Sequence, residues 1–167
     1  MGKIIVVNAK ECNACLTCEI ECSLAHSRTK TLVEAMKEVE PRLSVAAVGE
    51  TAVPMQCRHC EEAPCMKVCP THALHRKEVD GPVLLDKSLC IGCRFCLVVC
   101  PFGAIIPSYD GRTMVKCDLC IDRLEEGQEP ACVASCPMGA LEFVEAEAYA
   151  QGKRNDAAKR SVEQADV

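Results

Sequence analysis

The stretch from Cys90 to Pro101 constrains this chain more than any other. It reads Cys90-Ile91-Gly92-Cys93-Arg94-Phe95-Cys96-Leu97-Val98-Val99-Cys100-Pro101, with two, two and three residues between its cysteines. Three thiols at such intervals fit one tight loop. The fourth begins the next element and faces away from them. Cys12, Cys15, Cys18 and Cys22 repeat the same two, two, three spacing but are followed by Ser23 instead of proline. Cys57, Cys60, Cys65 and Cys69 are spaced two, four, three and closed by Pro70. Cys117, Cys120, Cys132 and Cys136 have eleven residues between their pairs and are closed by Pro137. The sixteen cysteines of the 167-residue chain thus form four groups of four, with none left over.

In a short secreted chain such a density would suggest disulfides. Here Met1-Gly2-Lys3 leads into only four apolar residues, Ile4 to Val7, which is no secretory signal. Val6 stands where a myristoylation signal has Ser or Thr. No apolar run approaches the roughly 18 residues of a membrane span. The expectation is a cytoplasmic, reducing setting in which metal holds the thiols. The two, two, three run closed by proline is the ferredoxin pattern, whose fourth cysteine ligates the other cluster of a pair. Four groups of four therefore predict four [4Fe–4S] clusters as cofactors.

The exchange of fourth ligands sets the expected pairing. Adjacent groups two and three form one module: one cluster on Cys57, Cys60, Cys65 and Cys100, its neighbour on Cys90, Cys93, Cys96 and Cys69. Groups one and four then pair across the chain: one cluster on Cys12, Cys15, Cys18 and Cys136, the other on Cys117, Cys120, Cys132 and Cys22. The fold class is α+β, with two ferredoxin-like modules, one inserted in the other. Residues 1–50 with 108–144 form the first module, 51–107 the inserted one, and 145–167 a tail.

The remaining segments fit this frame. Ile4 to Val7 reads as a strand, and Leu141 to Val144 can close back on it. Ser23 lets a helical turn continue through Leu24 and Ala25. Leu32, Val33, Met36 and Val39 suit a short amphipathic helix ended before Pro41, and Leu43 to Val48 a strand. The cysteine-free stretch 24–56 is expected to cover one side of the clusters or to contact a partner. Leu74 to Arg76 can pair with Val83 to Leu85 through a turn near Asp80-Gly81-Pro82. After each Cys-Pro a short helix is expected to end at a Gly or His and pass into a strand. The charged tail reads as a solvated helix or a frayed, disordered tail.

Other chemistries are less well supported. A structural zinc site takes four thiolates, and group four alone could pass for one. Groups one and three could not, because three cysteines at two-residue intervals exceed what one zinc pair supplies. A zinc-stabilised interaction module is the different-class alternative, and an enzyme with an unrecognised site is a third. No Gly-rich nucleotide loop, zinc-protease motif or nucleophile elbow is present, so no catalytic residue is expected. A net charge of −5 gives no support for nucleic-acid binding. His59 is read as a hydrogen-bonding or surface residue; His26, His72 and His75 lack paired ligand spacing. Phe95 and Phe102 are expected to shield sulfur from water. Arg58, Lys67, Arg94, Lys116 and Arg123 either offset cluster charge, guide an acidic partner or sit on the solvated surface.

Two stretches carry a family resemblance. They are Gln56-Cys57-Arg58-His59-Cys60-Glu61-Glu62-Ala63-Pro64-Cys65-Met66-Lys67-Val68-Cys69-Pro70 and the group from Lys116 through Cys132 to Leu141. Together they resemble the four-cluster subunits of the dimethyl sulfoxide reductase beta-subunit family, over residues 3 to about 144. The resemblance implies a subunit that wires a catalytic oxidoreductase subunit to a second redox partner, in a hetero-oligomer or transient complex. Family members with a three-iron cluster lack one ligand, and this chain lacks none. Lys3 to Asn8, Leu24 to Ser27 and Ala52 to Cys60 look most like the iron–sulfur subunit associated with carbon monoxide dehydrogenase. That likeness implies transfer toward a hydrogenase or another acceptor. Similar chains serve formate dehydrogenases, hydrogenases and molybdopterin reductases.

With two Tyr, three Phe and no Trp, the core has few large side chains. Metal–thiolate bonds then supply much of the folding free energy. Chelating the iron is expected to abolish the near-UV circular dichroism of the protein; a native-like spectrum after chelation would contradict this.

Overall fold

The computed structural model describes residues 2–29 and 31–165. Met1, Lys30 and residues 166–167, which include the start of the expected signal-free N-terminus and the end of the expected tail, lie outside the described residues. In chain order the elements are β1 (Lys3–Val7), α1 (Thr17–His26), α2 (Leu32–Glu38), β2 (Leu43–Val48) and β3 (Thr51–Gln56). Next come α3 (Pro64–Lys67), β4 (Leu74–His75), β5 (Leu84–Leu85), α4 (Phe95–Val99), β6 (Ile105–Pro107) and β7 (Met114–Lys116). The last elements are α5 (Ile121–Glu125), α6 (Ala131–Ala134), β8 (Leu141–Glu145) and α7 (Ala146–Ala165).

The strands form separate antiparallel pairs: β1 with β8, β2 with β3, β4 with β5 and β6 with β7. The β-branched run at Ile4 to Val7 pairs with the end of the fold as expected, with Ile5 opposite Phe143 and Val7 opposite Leu141. This pair buries one face only, through Ile5 and Leu141. The β4–β5 pair also follows the expected register region, with Leu74 opposite Leu85. β3 and β7 lie outside the expected strands. Pro54 lies within β3, opposite Val45, on a two-stranded ribbon where a strand edge is free of ladder duty.

Two hydrophobic clusters fill the interior. One joins Ile5, Cys18, Cys22, Leu43, Leu119, Cys132 and Leu141. The other joins Ala63, Leu74, Val83, Cys96, Ile105 and Met114. The first draws on both ends of the chain and the second on its middle. The expected boundary after residue 50 would cut the β2–β3 ribbon, whose strands meet at Val48 and Thr51. The ribbon stays with the first cluster, through Leu43 and Val45. Past residue 107, Met114 packs in the middle cluster and β7 pairs with β6.

The expected helix after each Cys-Pro is absent. The short helices α3, α4 and α6 instead precede the fourth cysteine of their groups and contain the third. After that cysteine comes a single turn, in which the amides of His72, Gly103 and Gly139 donate to the carbonyls of Cys69, Cys100 and Cys136 at 3.3, 3.4 and 3.3 Å. Proline fixes φ for this turn, and the third residue after the cysteine takes a positive φ of 54, 59 or 62°. Group one lacks the proline, and there α1 runs on past Cys22 to His26. The stretch 24–56 covers one side of the first cluster, and the tail is an exposed helix.

Leu141 is 2% exposed at the centre of the first cluster. Leu141→Ala should cost about 2–5 kcal/mol by the usual penalty for a buried large-to-small change. The exposed Val48→Ala should change little. Anaerobic urea unfolding followed by far-UV circular dichroism checks both.

Candidate metal centre

Three cavities each meet four cysteines. The first is lined by Cys57, Cys60, Cys65 and Cys100, with Ala63, Pro64, Val83, Phe102 and Ile105. The second meets Cys12, Cys15, Cys18 and Cys136, with Leu16, Val45, Pro54 and Leu141. The third meets Cys69, Cys90, Cys93 and Cys96, with Leu74, Leu85 and Met114. In each, three cysteines come from one group and the fourth from another. The remaining four are also brought together. Burial pushes the Cys132 thiol up first, and the like charges of Cys117, Cys22 and Cys120 push it further. Burial likewise pushes Cys117 up to about 12.

The loops that present these sulfurs share one backbone device. The second residue inside the first C-x-x-C of each group has positive φ: Ala14 59°, His59 48°, Gly92 67° and Leu119 64°. The residue at the mouth of the following helix does too: Leu16 60°, Ala63 36°, Arg94 65° and Cys120 50°. Most of these are not glycine, and each such residue costs about 1–2 kcal/mol. Alternating left- and right-handed residues turn successive N–H groups toward one concave point. Such nests hold anions and iron–sulfur groups. Amides here also donate to sulfur: His59 to Cys57 at 3.4 Å, Leu119 to Cys117 at 3.3 Å, Ala140 to Cys136 at 3.2 Å and Arg42 to Cys22 at 3.3 Å.

Glycine at position 92 answers a different need. Ala14, His59 and Leu119 show that the φ alone does not demand it. A Cβ at Gly92 would stand 2.4 Å from the carbonyl oxygen of Arg112. At Gly103, φ is similar but a Cβ would meet no atom within 4 Å.

Fixed charges surround the fourth quartet. His26, at the end of α1, has Nδ1 2.8 Å from the Cys22 carbonyl and Nε2 3.1 Å from Asp118 Oδ1. Both partners accept, so both ring nitrogens carry hydrogen. Burial opposes the charge, but hydrogen bonds with Asp118, Cys120 and Cys22 hold the imidazolium up to about 11. Asp118 also pairs with Arg42, and its side chain accepts from the Cys120 amide at 3.0 Å. Burial raises the Asp118 carboxyl, yet His26 and Arg42 together hold it well below the usual range. The spacing of cysteines alone could not find this trio, because His26, Arg42 and Asp118 meet only through the fold. The sulfur-side position of His26 in the α1 turn after Cys22 was the available signal.

The other singled-out residues separate clearly. Lys116 is 3% exposed, which overturns its reading as solvated surface. Arg58, Lys67 and Arg94 are exposed, and Lys67 pairs with Glu62. Arg123 is half-buried and donates to the Glu129 carbonyl at 2.9 Å. His59 accepts from the Val83 amide at 3.0 Å, and burial with the nearby Lys116 charge pushes it down to about 3, so it is neutral. His72 is exposed, while His75 is half-buried beside the Ala73 carbonyl. Phe95 is 57% exposed and so offers little shielding, whereas Phe102 lines the first cavity.

Quartets of soft donors in apolar cavities, with amides donating to their sulfurs, fit cubane iron–sulfur groups and define a cluster-binding ferredoxin-like protein. The chain belongs to the 4Fe-4S dicluster domain family, which matches residues 48–146. It is 42% identical over 163 residues to an iron-sulfur protein of Rhodospirillum rubrum, covering 87% of this chain and 84% of the relative. It is 36% identical over 158 residues to an anaerobic dimethyl sulfoxide reductase subunit of Escherichia coli K12, covering 82% and 70%. Hydrogenase-4 component A of the same strain is 36% identical over 181 residues, covering 86% and 83%. The cofactors are four [4Fe–4S] clusters, and the chain is an electron-transfer iron–sulfur protein.

Gly92→Ala should lose iron from the protein on anaerobic gel filtration, because the Arg112 carbonyl is backbone and must shift. Gly103→Ala, with only its φ penalty of about 1 kcal/mol, should retain it.

Proposed function

We propose that this chain is an electron-carrying subunit that links a catalytic oxidoreductase subunit to a second redox protein. The crossed convergence of cysteines supports it most: Cys100 lies with Cys57, Cys60 and Cys65, while Cys69 lies with Cys90, Cys93 and Cys96. In this reading the ligand sets are those two, with Cys12, Cys15, Cys18 and Cys136, and with Cys22, Cys117, Cys120 and Cys132. A bound cubane cluster takes and returns one electron. The chain's residues hold the sulfurs, exclude water with apolar walls and set potential through N–H donors and fixed charges. Residues 57–116 form an inner module, and residues 2–56 with 117–145 an outer one; the two separate hydrophobic clusters support this division.

The donor in this reading is carbon monoxide dehydrogenase and the acceptor a hydrogenase or another redox protein, on the strength of the sequence likeness described above. A formate dehydrogenase, hydrogenase or molybdopterin reductase is the second choice, favoured by the likeness to the dimethyl sulfoxide reductase subunit and the hydrogenase component. The location is cytoplasmic in this reading. No helix among the described residues is long and apolar enough to cross a membrane.

Anaerobic preparation, followed by iron and sulfide analysis and electron paramagnetic resonance of the reduced form, tests the proposal. Iron and sulfide are each expected to match the sixteen cysteines, with interacting [4Fe–4S] signals. Cys100→Ser should perturb the signal of the Cys57 quartet and spare that of the Cys90 quartet; the reverse would overturn the crossed pairing. Zinc without sulfide would replace this reading by the interaction module.

A further inference from the structure

Lys116 ends β7 with its side chain buried, 3% exposed. Its Nζ donates to the Val83 carbonyl and, at 2.6 Å, to the Cys117 carbonyl. No carboxylate among the described residues lies within ion-pair distance of it. The neighbouring carboxylate Asp118 is engaged by His26 and Arg42. An ammonium carries donors only, and two carbonyl dipoles do not cancel a full charge withdrawn from water. The chain has placed a cation in its interior without supplying the counter-charge.

The two carbonyls show where that counter-charge stands. Val83 is part of the wall of the cavity that meets Cys57, Cys60, Cys65 and Cys100. Cys117 is the first cysteine of the quartet with Cys22, Cys120 and Cys132. Lys116 therefore spans the walls of two quartets, one in each hydrophobic cluster.

We propose that Lys116 is a positioning residue whose buried charge is shared by the cluster at Cys57, Cys60, Cys65 and Cys100 and the cluster at Cys22, Cys117, Cys120 and Cys132, raising the reduction potential of both and making them the electron-rich junction between the modules. This rests on the ligand sets of the proposed function. A fixed cation favours the state that carries one more electron, so its removal lowers the potential. The effect falls with distance and is largest at the two quartets whose walls it holds.

The test is a redox titration of the anaerobically prepared full chain, followed by electron paramagnetic resonance, on wild type, Lys116→Met, Lys116→Gln and Lys116→Arg. Lys116→Gln retains donors for both carbonyls but not the charge. Met and Gln variants should each shift two of the four midpoint potentials downward and leave two in place, while Arg restores the wild-type values. Lys116→Gln behaving as wild type would overturn the proposal, since hydrogen bonding would then suffice. Equal shifts at all four centres, or none, with iron content unchanged would also overturn it. If Lys116→Met fails to hold iron, the Gln and Arg pair decides alone; if all three variants fail, a need for the lysine as packing replaces the shared-charge account. Wild type without iron and sulfide would instead remove the proposed function itself, which keeps the two failures apart.

Discussion

Four sulfurs must meet in one small volume, and in this chain they arrive from segments far apart in sequence. That convergence determines most of what is seen. The strands remain in pairs, since no broad sheet is needed to tie the ends together when each quartet already joins two distant loops. The cores are small and contain cysteine among their buried members, so the hydrophobic clusters and the metal centres are the same places. Strain follows as well. Ala14, Leu16, Ala63 and Leu119 hold left-handed backbone that their side chains disfavour. The cost is tolerated because only that geometry turns amides toward the sulfurs.

Gathering anionic sulfur also creates an electrostatic problem in a chain that is already acidic. Three answers are visible. Amide N–H groups of His59, Leu119, Ala140 and Arg42 lie against individual sulfurs. The His26–Asp118–Arg42 trio sets a cation-rich arrangement beside Cys22 and Cys120. Buried Lys116 donates to the carbonyls of Val83 and Cys117. Surface cations such as Lys67 are occupied with ordinary exposed pairs and contribute little to this balance.

Much of this was legible because cysteine spacing is a long-range signal. The β-branched run at Ile4 to Val7 and the run at Leu141 to Val144 anticipated the meeting of β1 with β8. What escaped was local or three-dimensional. The turns after each Cys-Pro looked like helix starts, but the short helices had already been used before the fourth cysteine. β7 is only three residues long and β3 carries Pro54 within it, so neither reads as a strand until β6 and β2 lie beside them. Lys116 and Asp118 carry charge, which in a bare sequence suggests surface, and burial became visible only when partners 33 residues away in sequence for Lys116 and 92 for Asp118 were in place.

The crossed geometry has a bearing on synthesis. The cavity that meets Cys57, Cys60 and Cys65 is completed by Cys100, and the one that meets Cys90, Cys93 and Cys96 by Cys69, a cysteine already made. Cys12, Cys15 and Cys18 wait for Cys136. A nascent chain leaving the ribosome can therefore enclose its middle while its first loop still stands open. The segments made earliest are the last to be sealed, since Cys136 is the last of the sixteen cysteines made.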